Sequence, residues 1–229
     1  VEEAIRLKER LGGKVTAISM GPPQAEAALR EVISMGVDEG VLLSDRAFAG
    51  SDTWATSYAL AMAIRKLGDF GLIICGNQAS DGDTGQVGPG IAAHLDLPQI
   101  TYVRKIEEID DKRIVAERLL EDGREAIEAP LPCLITVVKE INEPRFPSFK
   151  GKMAARKAQI PVWKAQDIRA DEKKIGLAGS PTRVVKIFSP PARSGGEMLD
   201  GSADQAVAAL VDRLREKVRL PPDRRCRPA

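Results

Sequence analysis

The chain has 229 residues, 43% of them apolar, enough for one large α/β domain or one domain with a long appendage. Lys plus Arg (34) nearly cancel Asp plus Glu (33), so a sequence-independent grip on nucleic-acid phosphates is not expected. Cys75, Cys133 and Cys226 lack metal-ligand spacing and read as free thiols of a reducing compartment, and neither a membrane span nor a signal peptide is evident.

The chain opens on Val1, and residues 1–11 already read as a helix, with Ala4, Leu7, Lys8 and Leu11 at helical spacing, so further sequence is expected ahead of it. Residues 14–20 (KVTAISM), rich in β-branched side chains and closed by Gly21-Pro22-Pro23, predict a strand. Over 24–35 the stripe of Ala25, Ala28, Leu29, Val32 and Ile33 predicts a helix stopped by Gly36. A short strand follows at 39–43, and Ser51 or Asp52 can cap a helix over 53–66 by accepting bonds from its free amides. The continuous apolar run 70–75 (FGLIIC) has the character of a strand buried on both faces. A loop over 76–84 leads into a helix over 85–95. Strands and helices alternating through short connections require a parallel sheet with right-handed crossovers and helices on both faces. The fold class expected is α/β, a doubly wound, mostly parallel, Rossmann-like sheet.

The middle of the chain differs. Residues 101–109, 113–120 and 124–128 are separated by Asp110-Asp111 and Asp122-Gly123, hairpin punctuation that predicts an antiparallel flap. Residues 131–139 (LPCLITVVK) then return to the core, and 142–157 (NEPRFPSFKGKMAARK) read as an exposed basic loop running into a short helix. After Pro161 the density of Pro, Gly and charge suggests an extended arm, giving an expected division into a nucleotide-binding domain, 1–160, and an arm, 161–229. A last amphipathic helix over 203–218 carries Ala206, Val207, Leu210, Val211 and Leu214 on one face, and docking onto a partner is expected of it.

The stretch Gly76-Asn77-Gln78-Ala79-Ser80-Asp81-Gly82-Asp83-Thr84-Gly85-Gln86-Val87-Gly88-Pro89 follows a parallel strand and precedes a helix, the place where open α/β sheets bind ligands. Glycines let backbone amides approach an anion, the helix start offers unpaired N–H groups, and Ser80 and Thr84 add hydroxyls. A phosphate-bearing ligand is the natural guest. Asp81 and Asp83 repel phosphate, so they cap amides and shape the loop, meet a ribose hydroxyl, or coordinate a metal for which no third ligand is apparent. The stretch is neither a Walker loop nor a GxGxxG fingerprint. His94, the only histidine, is expected to pack or face solvent, Trp54 and Tyr58 share a helical face and read as core, and Cys75 reads as a small hydrophobe. One histidine leaves no Ser/His/Asp or Cys/His set, so no catalytic side chain is assigned.

The run GNQASDGDTGQVGPGIAAHLDLPQITYV resembles the signature of electron-transfer flavoprotein β subunits, as do Val1-Glu2-Glu3-Ala4 with Arg6-Leu7-Lys8, Met20-Gly21-Pro22, and Asn142-Glu143-Pro144-Arg145. The resemblance runs in order to about Pro191 and implies an adenine-nucleotide α-hydrolase-like fold. Family members carry further residues ahead of Val1, including the first strand of the sheet and a nucleotide-contacting loop. The resemblance also implies that Gly21, Pro22 and Ala79, Ser80, Asp81, Gly82, Asp83, Thr84, Gly85, Gln86 and Val87 hold an adenine nucleotide. In some members this is a structural AMP; in electron-bifurcating members it is a second FAD that accepts hydride from NADH. The compact form of the loop here resembles the bifurcating members, so FAD is favoured over AMP. The other FAD belongs mainly to the α subunit, the expected heterodimer partner. Arg145, Phe149, Lys150, Lys152, Arg156 and Lys157 resemble the loop that docks on an acyl-CoA or other dehydrogenase, with Phe149 as the anchor; the less favoured alternative is a solvated basic loop whose Phe tucks back onto the sheet. The function implied is that of an electron carrier, NADH-oxidising if bifurcating, in the cytoplasm of a bacterium or archaeon. The competing function is a non-redox adenine-nucleotide sensor of the universal-stress-protein type, which shares the doubly wound sheet but needs neither basic loop nor arm.

Overall fold

The computed structural model describes residues 1–80, 82–189, 196 and 198–218, without the side chains of 216–218. The elements in chain order are α1 (Glu2–Leu11), β1 (Thr16–Met20), α2 (Glu26–Met35), β2 (Glu39–Leu43), α3 (Thr53–Leu67), β3 (Leu72–Gly76) and α4 (Val87–Leu95). Then follow β4 (Gln99–Ile109), β5 (Arg113–Leu119), β6 (Arg124–Pro130), β7 (Cys133–Val137), α5 (Phe149–Lys157), β8 (Val162–Trp163) and α6 (Ala203–Val218). The α/β alternation expected of the first half is present, as is the antiparallel flap.

Two sheets form, in strand orders β1-β2-β8 and β3-β7-β4-β5-β6. The first is parallel throughout. In the second, β3, β7 and β4 are parallel, and β4-β5-β6 is the antiparallel flap. β7 enters between β3 and β4, and its side chains Cys133, Leu134, Ile135 and Thr136 are all buried. Among the described residues β1 and β3 each leave one edge unpaired, and both line a slot of about 1050 Å³ with Ile64 and Ile91. For that reason β3, expected to be buried on both faces, is only half-buried.

Asp52 caps α3, accepting bonds from the amides of Trp54 and Ala55 at 3.0 Å. α3 buries the small residues Ala55, Ser57, Ala59, Ala61 and Ala63, and α4 comes very close to it at Ser57: a side chain at Gly90 would fall 2.5 Å from Ser57 Oγ. Trp54 is half-exposed, contrary to its expected place in the core, whereas Tyr58 packs against a cluster built on Leu43, Phe48 and Ile175.

By contact the chain divides into two units, Val1–Val184 and Val185–Ala229. Residues 161–184 therefore lie within the first unit: β8 extends the first sheet beside β2, and Ala165, Ile168 and Ile175 are buried. Pairing to the free edge of β2 outweighs the Pro- and charge-rich composition that suggested an extended arm. The second unit contains α6, on which Val207, Leu210, Val211 and Leu214 are exposed. No helix among the described residues is long and apolar enough to cross a membrane.

Candidate functional site

The strand order reverses across the slot. From β1 the chain winds outward to β2, and from β3 it winds the other way to β7 and β4, which makes the carboxyl ends of β1 and β3 a topological switch point. The turn Gly21-Pro22 follows β1, with the Gly21 amide donating to the Leu43 carbonyl at 3.0 Å. The loop 77–86 follows β3, and the Asn77 amide donates to the Val137 carbonyl at 3.0 Å. Each of these expected segments follows the carboxyl end of a parallel strand that borders the slot.

α4 begins without a side-chain cap at Gln86. Its first amides remain available to an anion, and the helix dipole favours one there. Gly88 sets where this helix starts: a side chain there would lie 2.5 Å from the Thr136 methyl on β7, so only glycine lets α4 seat so closely on the sheet. The Thr53 hydroxyl, at the start of α3, donates to Gln86 Oε1 at 3.0 Å and ties the two helix starts together.

Within the loop, Ala79, Ser80, Gly82, Asp83 and Thr84 are exposed and Gly85 and Val87 half-buried, while Asp81 lies outside the described residues. The Asp83 amide donates to the Ala79 carbonyl at 2.9 Å, and Gln78 Nε2 donates to Asp83 Oδ1. Asp83 and Gly85 both sit in the left-handed region, at φ 51° and 65°. The Asp83 carboxylate is thereby engaged in shaping the loop, and among the described residues no group of three or more potential metal ligands comes together.

The second predicted constellation is a clamped, basic projection. α5 packs on α2 so tightly that a side chain at Gly151 would overlap the Ser34 carbonyl. Arg30 Nη1 donates to the carbonyls of Ala155 and Ala158 at 2.7 and 3.2 Å, and the Ser148 hydroxyl caps the helix by accepting from the Gly151 amide at 2.9 Å. Lys150, Lys152, Arg156 and Lys157 are exposed. Phe149 is 83% exposed, so it does not tuck back onto the sheet, and Phe146 is 96% exposed. Phe146 was not among the expected residues; its signal was an aromatic lodged between Arg145 and Pro147, where no helical or strand period can bury it.

Arg145 takes a different place. Its guanidinium donates to both oxygens of Glu2, at 2.9 and 3.0 Å, and to Glu9 at 2.5 and 2.9 Å. Its bonds to Glu9 and Glu2 hold it charged above its ordinary range. The bond from Arg145, joined by one from Arg6, lowers the buried Glu2 carboxyl to about 2 despite the opposing cost of burial. Asn142 likewise donates to Glu3 at 2.7 Å. The motif Asn142-Glu143-Pro144-Arg145 ties the root of the projection to α1.

His94 stacks against Trp54, with ring centroids 4.4 Å apart, and burial lowers its pKa. Burial raises Cys75 and Cys133 to about 11, as suits thiols that pack and do not react.

Comparison with known proteins identifies the family. A family model described as electron transfer flavoprotein domain matches residues 1–168. The chain is 52% identical to an electron transfer flavoprotein subunit beta of Thermoanaerobacterium thermosaccharolyticum over 218 residues, covering 95% of this chain and 83% of the relative. It is 49% identical to the caffeyl-CoA reductase-Etf complex subunit CarD of Acetobacterium woodii, covering 95% and 83%. To the acryloyl-CoA reductase electron transfer subunit gamma of Anaerotignum propionicum it is 44% identical, covering 95% and 84%. The nucleotide-sensor alternative finds no support among these. The chain belongs to the electron transfer flavoprotein family and stands among its β subunits.

Proposed function

We propose that this chain holds an adenine nucleotide, FAD in preference to AMP, over the carboxyl ends of β1 and β3, and passes electrons as one half of an αβ heterodimer. The observation that carries the reading is the uncapped start of α4 at the switch point, drawn against the sheet by Gly88. The donors present suit a phosphate: the first amides of α4, the Thr84 and Ser80 hydroxyls, and the glycines Gly82 and Gly85, which leave the backbone open to close approach. When bound, FAD supplies the hydride and electron chemistry through its isoalloxazine ring. The chain's own residues bind and orient: the loop 77–86 and Gly21-Pro22 enclose the nucleotide, while Asp83 and Gln78 hold the loop in shape.

The compact loop 81–89 favours FAD, since a glycine-centred turn leaves room beside the first phosphate for the rest of a dinucleotide. NADH is then the hydride donor, and the carrier works by flavin-based bifurcation. The exposed pair Phe146 and Phe149, ringed by Lys150, Lys152, Arg156 and Lys157, supports docking on an electron-exchanging enzyme. Two relatives are named for acyl-CoA reductase complexes, which supports an acyl-CoA dehydrogenase or reductase as that enzyme.

The test is to denature the purified heterodimer and quantify the nucleotides released. Two FAD per heterodimer and no AMP is the expected result. One FAD with one AMP would remove bifurcation and leave a single-flavin carrier.

A further inference from the structure

Tyr102 has an unusual backbone for a bulky side chain. Its φ is 58°, in the left-handed region that non-glycine residues rarely enter and that is strained for them. It lies in a β-bulge: between Ile100, opposite Ile135, and Val103, opposite Val137, β4 carries one residue more than β7. Without that extra residue the pleat would alternate regularly from Ile100 onward; with it, both Ile100 and Val103 are buried and the Tyr102 side chain is left 46% exposed. The bulge is fixed from below by Thr136, a buried side chain on β7, whose hydroxyl accepts from the Tyr102 amide at 3.1 Å. The methyl of the same Thr136 faces Gly88 and sets the start of α4. One buried residue therefore fixes both the anion-accepting helix end and the strained turn at Tyr102.

The strain has a directional result. The Tyr102 hydroxyl reaches the loop that follows β3: a side chain placed on Gly85 would set its first carbon 4.0 Å from that hydroxyl, 3.7 Å from the Asn77 carbonyl oxygen and 3.9 Å from Gln78 Oε1. A tyrosine held out of the sheet's alternation, with its O–H beside the bare backbone of Gly85, is placed for a ligand. We infer that Tyr102 contacts the bound nucleotide, its phenol donating a hydrogen bond to a phosphate oxygen lying over Gly85. This rests on the nucleotide reading above, and it assigns the bulge of β4 to ligand recognition.

Opposite signs in stability and binding separate this from a structural role. In the heterodimer, stripped of nucleotide and titrated with FAD and with AMP, Tyr102→Phe is expected to bind the physiological nucleotide roughly tenfold more weakly with an unchanged Tm. Tyr102→Gly, which accepts a positive φ without strain, is expected to melt a few degrees higher while binding at least as weakly as Tyr102→Phe. Wild-type affinity in both variants, with a wild type that carries its nucleotide stoichiometrically, overturns the role of Tyr102 and leaves the site standing. A wild-type heterodimer with no nucleotide beyond the flavin of its α subunit removes the site and the inference together.

Discussion

Glu2 and Arg145 are 143 positions apart in sequence, yet the two side chains hold α1 to the root of the basic projection. Because Glu2 is buried and its pKa is depressed from 4.5 to about 2, its contribution to stability is complete above about pH 4.5. It is lost as pH falls from there toward 2, at up to about 1.4 kcal/mol per pH unit. Glu2→Gln should lower the urea midpoint at neutral pH, by the equivalent of about 2 kcal/mol, and flatten the acid limb of the stability profile. An unchanged acid limb would locate the pH dependence elsewhere. Phe149 gives the converse case. With its side chain 83% exposed, Phe149→Ala should leave thermal stability within about 0.5 kcal/mol of wild type and leave flavin content intact. Electron exchange with the partner dehydrogenase should nevertheless weaken by about 2 kcal/mol or more in affinity, seen in stopped-flow titrations, because a central aromatic anchor carries more than the charges around it. Equal kinetics for the two proteins would show that Phe149 is no anchor.

Among the elements, α4 depends most on close approach. Gly88→Ala puts a methyl 2.5 Å from the Thr136 methyl, itself buried in the central strand β7, so either the helix or the strand must shift. A loss of about 1–3 kcal/mol is expected, accompanied by loss of nucleotide as the helix start moves from the loop. Gly82→Ala is the control for stability, since nothing lies within 4 Å of the added carbon and its melting temperature should match wild type. A Gly88→Ala protein as stable as the control would mean that α4 is not held where the site needs it. β1 and β3, by contrast, face the slot with edges that no strand among the described residues pairs.

At the scale of the molecule, the second unit offers apolar surface without covering it. On α6, Val207, Leu210, Val211 and Leu214 are exposed, and in the preceding stretch Val185, Ile187 and Phe188 are 91%, 88% and 74% exposed. Exposed apolar stripes of this extent are an aggregation liability in isolation and an interface in company. Co-expression with an electron-transfer flavoprotein α subunit should therefore give a one-to-one complex by light scattering, whereas truncation before Val185 should abolish co-purification and leave the first unit folded. Recovery of the truncated chain in complex would assign the α-subunit interface to the first unit.

The sequence by itself determined the features that depend on near neighbours in the chain. The α/β alternation, the hairpins at Asp110-Asp111 and Asp122-Gly123, the cap at Asp52, the extent of α6 and the glycine-rich loop between β3 and α4 all follow from periodicity, turn chemistry or capping within a few residues. Their physics is local, so it can be read in order. Only the tertiary structure decided which edges meet: β7 inserting between β3 and β4, β8 returning to β2 against its composition, and Arg145 reaching α1. A side-chain period tells which face of a strand is buried but not which strand lies beside it, and so β3 was read as fully buried when one of its edges is open. The same limit placed Trp54 in the core, because a helical period tells which residues share a face but not what packs over it. Tyr102 is the extreme case. Nothing in its neighbours along the chain requires a left-handed backbone; that conformation exists because β4 must fit beside β7 with Thr136 beneath it, a constraint between strands more than thirty residues apart.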